Sequence, residues 1–148
     1  MDFTLSDEQR ALQGAAREYA QKRLPQIAED IETSGEPPSH ALIAEYASHG
    51  FLGINIPEAL GGLGQGNIEA LLVLEEFGKI SSAVAFPVFE SCVGPVRAIE
   101  QFAGGDLKAR IVPRVCSGEI VVAIAMSEPA AGSVPPPSAG APTPARPA

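Results

Sequence analysis

The chain has 148 residues, 45% of them hydrophobic and 5% aromatic, which fits one domain with a core built mainly from aliphatic side chains. Its net charge of −8 repels phosphate backbones, so nucleic acid is not an expected partner. The acidic N-terminus is unlike a secretory signal, and no uninterrupted apolar run reaches the roughly 18 residues of a membrane span, so a soluble cytoplasmic protein is expected.

The first predicted helix begins at Ser6. Its hydroxyl can accept hydrogen bonds from the free amides of the first turn, and Gln9, three positions later, completes the pattern of a capping box. Apolar residues follow at helical spacing as far as Ala20. Pro25 suits the first turn of a helix, so a second helix is predicted to begin there, and the segment 33–38 predicts the loop after it.

The middle of the sequence predicts a third helix and then a central one. Ser39 is expected to cap the third helix, and Gly50 is expected to end it in the left-handed conformation that glycine favours. A short apolar connector and the glycine-rich segment 61–66 follow. Asn67 is then predicted to cap the most apolar helix of the chain, and such a helix is typical of the centre of a bundle.

Three further segments complete the globular part. A helical stretch is predicted to open at Ser82 and to cover 83–102, with two internal prolines that break or kink it. Asp106 is predicted to cap the next helix, which Gly118 ends. Residues 120–126 are apolar and mostly β-branched, which predicts a buried strand. That strand needs a partner, because a single strand cannot satisfy its own backbone.

The last residues of the chain, 134–148, have a different composition. They hold six of the 14 prolines and no acidic residue, so they are predicted to be disordered with a polyproline II tendency. A proline-motif ligand for an aromatic groove is one interpretation, and an end without function is the favoured one. The expected fold class is therefore all-α, with a helical domain over 1–118, one strand and its loop over 119–133, and a disordered tail.

Several residues that often carry chemistry have a simpler interpretation in this sequence. The glycines of 61–66 precede a helix, but their spacing does not match a dinucleotide-binding loop, so a sharp turn between helices is favoured. His40 and His49 have no neighbours at metal-ligand spacing and are assigned to the surface or to capping. Glu75 and Glu76 leave two options open, a general base in a cleft or a solvent-facing or interdomain ion pair, and the second is favoured.

The two cysteines, Cys92 and Cys116, are far apart and have no CxxC partner. In a chain without a secretory signal this pattern predicts reduced thiols in the core. Neither cysteine is a candidate nucleophile, and no metal site is expected.

Five segments carry a more specific pattern than the helix signals. They are residues 3–9, 50–64, 74–78, 108–119 and 127–133. The pattern G-x-x-G-I-x-x-P-E-x-x-G-G-x-G covers the second segment, and (S/T)-E-P-x-x-G-S covers the last. In this order they resemble the entry to the first helix, a long glycine-rich segment, the following helix, the approach to the β-domain and the flavin-contacting signature of the acyl-CoA dehydrogenase family.

The resemblance implies a fold, a reaction and a set of site residues. The family has an N-terminal helical domain, a middle β-domain and a C-terminal four-helix bundle, usually as a tetramer. Its FAD-dependent members remove two hydrogens from an acyl-CoA thioester: a glutamate takes the α-proton and flavin N5 takes the β-hydride. By resemblance, Met126 and Ser127 contact the flavin ring. Gly132 and Ser133 lie near the cofactor pyrophosphate, and Ser133 also lies near the acyl-CoA. Val134 stands where the family has Asp.

The resemblance also limits what these residues are expected to do alone. The catalytic glutamate belongs to the C-terminal bundle and has no counterpart here, while segment 83–102 is expected to line part of the acyl pocket. Three or four hydrogen bonds to FAD, each worth about 1 kcal/mol net, fall short of the estimated 4–15 kcal/mol cost of association. The 148 residues are therefore expected to be an inactive fragment that binds FAD weakly or not at all.

Uncovered apolar faces predict further associations. A homo-oligomer or a complementing subunit is expected to cover them, and without one the chain is expected to self-associate. The alternative function is a non-catalytic helical interaction domain, or a frameshift or truncation product that works only with a partner chain.

Overall fold

A computed structural model describes residues 4–125 of the chain. Within that range the regular structure is helical, which confirms the expected all-α domain. Six α-helices and one 3-10 turn make up the described part: α1 Asp7–Ser34, α2 His40–Ser48, the turn Glu58–Leu60, α3 Asn67–Gly78, α4 Ser82–Cys92, α5 Pro95–Phe102 and α6 Gly105–Cys116. The expected boundaries at 118 and 133 stay predictions, and the tail 134–148 lies outside the described residues.

Helix α1 begins as predicted but continues further. Ser6 Oγ accepts a hydrogen bond from the Gln9 amide at 3.1 Å, and Gln9 Oε1 accepts one from the Ser6 amide at 2.9 Å, so the capping box is confirmed. The helix then runs for 28 residues and ends at Gly35. The prediction of a second helix beginning at Pro25 is wrong. Pro25 and Gln21 are both exposed, so water can hydrate the Gln21 carbonyl that the proline leaves without a helical partner.

The predicted N-terminal caps of α3 and α6, Asn67 and Asp106, are wrong, because a glycine occupies the cap position of each helix. Helices α3 and α6 follow Gly66 and Gly104, and neither has a side-chain cap hydrogen bond. Asn67 is the first residue of α3, and its Oδ1 accepts from Nδ2 of Asn55 at 2.7 Å instead. Asp106 lies in the first turn of α6, where its charge still complements the helix dipole.

The caps predicted for α2 and the end of α6 are confirmed. Ser39 Oγ accepts from the Leu42 amide at 3.2 Å. Gly50 and Gly118 adopt φ angles of 73° and 74°, in the left-handed region that a residue with a Cβ rarely enters.

Helices α4 and α5 account for the long stretch predicted from Ser82. Ser81 provides the cap, because its Oγ accepts from the Ala83 amide at 3.2 Å. Pro95 is the first residue of α5 and breaks the stretch, whereas Pro87 lies inside α4 without ending it.

In the described range one stretch, Ser82–Phe102, is long and apolar enough to cross a membrane by length and composition alone. Core helices of soluble proteins meet the same criterion, and 44% of its most apolar window is buried in the fold. The stretch is therefore weak evidence for a membrane span.

The side chains of the core form two hydrophobic clusters. The larger joins α1, α2, α3 and α4 to the connector after α2, and its centre is a group of aromatic rings whose neighbouring centroids lie 5.1 to 6.0 Å apart. These rings belong to Tyr19, Tyr46, Phe51 and Phe77. The smaller cluster joins the connector to α5 and α6 through Ile56, Val96, Val112, Val115 and Cys116.

The segment after α6 forms no strand in the described residues. Residues 120–125 carry no regular secondary structure, and residue 126 of the predicted strand lies outside the described range. Ile120 and Val122 pack against the smaller cluster, while Val121 and Ile124 are 45% and 55% exposed. The expected burial is therefore only partial. Exposure alternates from Ile120 to Ala123, but residues 123–125 are all exposed, and no second strand is present in the described part to bond the backbone.

Candidate functional site

The four residues assigned to the cofactor from the sequence are Met126, Ser127, Gly132 and Ser133. All four lie outside the residues that the structure describes. Their assignment to the flavin, and that of Ser133 to the substrate, stay predictions.

The glycine-rich loop is shaped by its own backbone. The amides of Leu63, Gly64 and Gln65 donate to carbonyl oxygens of the preceding connector over 2.8 to 3.1 Å. Gly61 and Gly64 adopt φ angles of 82° and 65°. A phosphate held by this loop would need free N–H groups, and these amides are already bonded. The favoured interpretation, a sharp turn between packed helices, agrees with this geometry.

Glu75 and Glu76 differ sharply in environment. The Glu76 side chain is 3% exposed and accepts from Nε and Nη2 of Arg17 at 3.2 and 2.9 Å, and from Nζ of Lys79 at 2.9 Å. The hydrogen bond from Arg17 is the main reason that the pKa of Glu76 lies below its usual value. Glu75 is exposed and pairs with Lys79 at 3.0 Å. A carboxylate held by two cations is a poor general base. The predicted solvent-facing ion pair fits Glu75, whereas Glu76 is buried and its ion pairs join α1 and α3 inside the helical domain.

The histidines and cysteines have structural surroundings. His40 lies exposed at the start of α2, and the His49 ring centroid lies 5.0 Å from that of Tyr19. Cys92 and Cys116 are free and buried, as predicted. Burial raises the pKa of the Cys116 thiol to about 11 and also raises that of Cys92, so both are poor nucleophiles. Among the described residues no cluster of three or more side chains is suited to a metal ion.

A cavity of about 490 Å³ opens between the loop before α2, the start of α2 and one face of α4. We name it the α2–α4 cavity. Its lining is mainly apolar: Pro37, Pro38, His40, Ile43, Ala83, Phe86, Pro87, Glu90 and Val121. Pockets of 300 to 1,000 Å³ with apolar walls and few polar groups are typical of small-molecule sites.

Glu90 is the polar exception on the α4 wall of this cavity. It lies one helical turn beyond Phe86 and is partly buried. Burial raises the pKa of its carboxyl group, and within the described residues no hydrogen bond or ion pair to that group is found. Glu90 thus presents an uncompensated carboxylate to an apolar space.

A second apolar surface lies on the other side of Phe86. Ile68, Leu71 and Leu74 recur every three residues along α3, so they share one face of that helix. Phe86 and Phe89 of α4 continue this surface, with ring centroids 5.7 Å apart in a T-shaped arrangement. We name these five residues the α3–α4 face. Ile68, Leu71 and Phe86 are more than half exposed, at 56%, 51% and 54%.

Segment 83–102 was expected to line part of an acyl pocket, and that role stays a prediction. Four residues of this segment line the α2–α4 cavity: Ala83, Phe86, Pro87 and Glu90. The sequence did not identify Phe86 and Glu90 as residues of this lining. A phenylalanine at helical spacing is typical of a core, and a single glutamate on a helix is typical of a surface. The contribution of Pro37, Pro38 and Val121 depends on tertiary contacts, which leave no local signal.

Comparison with known proteins identifies the family. The sequence model described as "Acyl-CoA dehydrogenase, N-terminal domain" matches residues 6–119. Acryloyl-CoA reductase (NADH) of Anaerotignum propionicum is 35% identical over 133 residues, which cover 90% of this chain and 33% of that protein. Glutaryl-CoA dehydrogenase of Desulfococcus multivorans is 32% identical over 135 residues, 90% of this chain and 35% of that protein.

Solved structures give the same result. The glutaryl-coenzyme A dehydrogenase in complex with glutaryl-CoA superposes with a TM-score of 0.81 at 30% identity, over 90% of this chain and 34% of that one. The chain thus spans about a third of the length of the relatives that it matches. It belongs to the acyl-CoA dehydrogenase family, in the region of that family's N-terminal helical domain.

Proposed function

We propose that the chain contributes the helical wall of an acyl-CoA site in a flavin-dependent acyl-CoA dehydrogenase, and that the α2–α4 cavity receives the acyl group of the thioester. The reaction proposed for the whole assembly is α,β-dehydrogenation of that acyl group. Acryloyl-CoA and glutaryl-CoA, which appear in the names of two relatives, are both acyl-CoA thioesters and support this class of substrate.

One observation carries the proposal. Val121 lines the cavity, and it lies six positions before Ser127, the residue assigned to the flavin ring. Six residues span at most about 21 Å, so chain geometry keeps the proposed flavin contact close to the cavity. An acyl group in the cavity and a flavin at Ser127 are thus compatible with one site.

The walls of the cavity suit an acyl chain. Burying one methylene group against apolar side chains stabilises the complex by about 0.8 kcal/mol. Phe86 and Pro87 supply such walls on α4, opposite Ile43 of α2. The partly exposed Phe86 ring gains the most from contact with a ligand, because half of its surface is still in water.

The cofactor part of the proposal concerns residues 126–133. The glycine loop at 61–66 does not fit the pyrophosphate of FAD, because its amides at 63–65 are bonded internally. By resemblance to the family, we assign FAD to Met126, Ser127, Gly132 and Ser133. A flavin held by these residues would supply the acceptor for the hydride that leaves the β-carbon of the acyl group. Weak retention of FAD by the 148 residues alone, lack of turnover by them and a cytoplasmic location all stay predictions.

A titration followed by nuclear magnetic resonance tests the acyl-binding role, since it detects millimolar affinity. We expect pentanoyl-CoA to shift the amide signals of Ile43, Phe86 and Val121, and coenzyme A alone to leave them in place. Phe86→Ala is expected to weaken the effect by roughly tenfold, the equivalent of about 1.4 kcal/mol of lost apolar contact.

Phe102→Ala is the matched control, because Phe102 is 84% exposed and does not line the cavity. It should bind pentanoyl-CoA like the unmodified chain. Equal shifts with coenzyme A alone, or equal loss of binding in both variants, would contradict the proposal.

A non-catalytic interaction domain is the second candidate. The exposed α3–α4 face favours it, because monomeric proteins rarely leave so many neighbouring large apolar side chains in water. The two candidates are compatible if the face binds the remainder of a dehydrogenase.

A further inference from the structure

We propose that the α2–α4 cavity admits acyl groups whose far end is uncharged and rejects those that end in a carboxylate, with Glu90 making the distinction. The inference rests on the proposed function, because it presupposes that the cavity receives the acyl group of a thioester. It adds a substrate class that family membership leaves open.

The described lining of the α2–α4 cavity carries negative charge without a compensating lysine or arginine. Within the described residues that form the cavity, Glu90 is the one acidic side chain and no lysine or arginine is present. His40 is the other ionisable group, and it is exposed at the start of α2. A ligand carboxylate would therefore find no arginine or lysine to pair with in this lining.

Glu90 follows Phe86 by one turn on the same face of α4, so an acyl chain that packs on the Phe86 ring is directed along the helix toward Glu90. The far end of the chain, rather than the thioester, is then the part nearest the carboxylate in this orientation.

A carboxylate brought beside Glu90 loses water and meets a like charge without a compensating cation, whereas a methyl group loses little. Specificity commonly arises from such a repulsive element rather than from an added attraction. Because Glu90 is only partly buried, water screens the repulsion and a preference of about tenfold is expected.

Two thioesters isolate this effect. Pentanoyl-CoA and glutaryl-CoA have acyl chains of equal length, and a carboxylate replaces the terminal methyl group in the second. At pH 8 the full chain is expected to bind pentanoyl-CoA about tenfold more tightly, as measured from the amide shifts of Ile43 and Val121. Glu90→Gln should remove most of that preference by improving glutaryl-CoA binding, and Glu90→Arg should reverse it.

Matched variants separate the role of Glu90 from general charge. Glu58→Gln removes one negative charge from the exposed 3-10 turn, away from the cavity lining, and should keep the tenfold preference. Asp106→Asn removes another negative charge, in the first turn of α6 and outside the cavity lining, and should also keep it. Amide spectra of all variants establish that each is folded.

The outcomes distinguish this inference from the proposed function. If both thioesters shift the cavity amides equally in the unmodified chain, the inference fails and the acyl-binding role stands. If the preference exists but survives Glu90→Gln, Glu90 is not its cause and the inference fails. If neither thioester shifts the cavity amides beyond coenzyme A, the proposed function fails and the inference fails with it.

Discussion

At the scale of single residues, Glu76 carries a charge that is buried where α1 packs against α3. Its buried carboxylate is compensated from two helices, by Arg17 of α1 and by Lys79 just after α3. Such a carboxylate stabilises a fold only while both the charge and its partners are present.

Glu76→Gln is expected to lower the free energy of unfolding by about 1–2 kcal/mol, because the amide keeps the volume but leaves the Arg17 guanidinium without its charged acceptor. Urea denaturation measures the change. Glu75→Gln is the matched control, and at an exposed ion pair it should cost no more than about 0.5 kcal/mol.

The same comparison has a pH signature. The folded-state pKa of Glu76 lies below its ordinary value of 4.5, so its contribution is present above that pH and disappears as the pH falls through the folded-state pKa. The difference between the unmodified chain and Glu76→Gln should therefore be largest near neutral pH and shrink below about pH 4.5. A difference that stays constant down to pH 3 would refute this electrostatic account.

The sequence could indicate that Glu75 and Glu76 pair with cations, but it could not indicate which of the two glutamates is buried. The two residues are adjacent on a helix and have the same chemistry, so local pattern does not separate them. Arg17 is distant in the sequence, and its contact with Glu76 follows only from the packing of α1 on α3. For the same reason the local sequence carries no signal that Glu90 lines a cavity between α2 and α4.

At the scale of elements, the glycine loop between the connector and α3 packs closely against the connector backbone. A Cβ at position 62 would overlap the carbonyl oxygen of Ile56 and would lie 2.6 Å from that of Gly53. Both neighbours are backbone atoms, so a small rotation of a side chain cannot relieve the clash.

Gly62→Ala is therefore expected to destabilise the fold by about 2–3 kcal/mol, as overpacking of a tight site does. Gly14→Ala is the matched control in the interior of α1, where a new Cβ meets nothing within 4 Å. There alanine should stabilise the protein by about 1 kcal/mol through its helix propensity. Thermal unfolding of the two variants gives the comparison, and a shift of the same sign in both would contradict it.

Helix identities were largely predictable from caps and spacing, while two boundary rules misled. Pro25 was read as a helix start because its ring suits a first turn, yet Leu24 and Ala28 are buried on either side and packing holds the helix through it. Asn67 was read as a cap, but its side chain bonds Asn55, a contact between elements that outweighs the local preference. Residues 120–125 read as a strand, and a strand depends on a partner that local sequence does not supply.

At the scale of the whole molecule, the α3–α4 face is the surface through which we expect this helical domain to associate. Its five apolar side chains lie on two adjacent helices, whereas the other large exposed apolar side chains, such as Leu63 and Leu107, belong to separate segments of the fold. Contact between two such faces removes apolar area from water and favours association despite a net charge of −8.

The 15.3 kDa chain is accordingly expected to sediment as species larger than a monomer at micromolar concentration. Leu71→Glu places a charge in the centre of the face and should shift the distribution toward the monomer. Leu107→Glu adds the same charge at a 41% exposed leucine of α6 and should not. If the unmodified chain sediments only as a monomer at all concentrations, this expectation is wrong.

The division of the core into two hydrophobic clusters has a consequence for how the molecule opens. Cys92 belongs to the larger cluster and Cys116 to the smaller one. Each half of the interior thus carries its own natural chemical reporter, and a thiol-modifying reagent gains access to one or the other according to which half fluctuates. The order in which the two sulfurs react therefore ranks the two halves by local stability, without any engineered label.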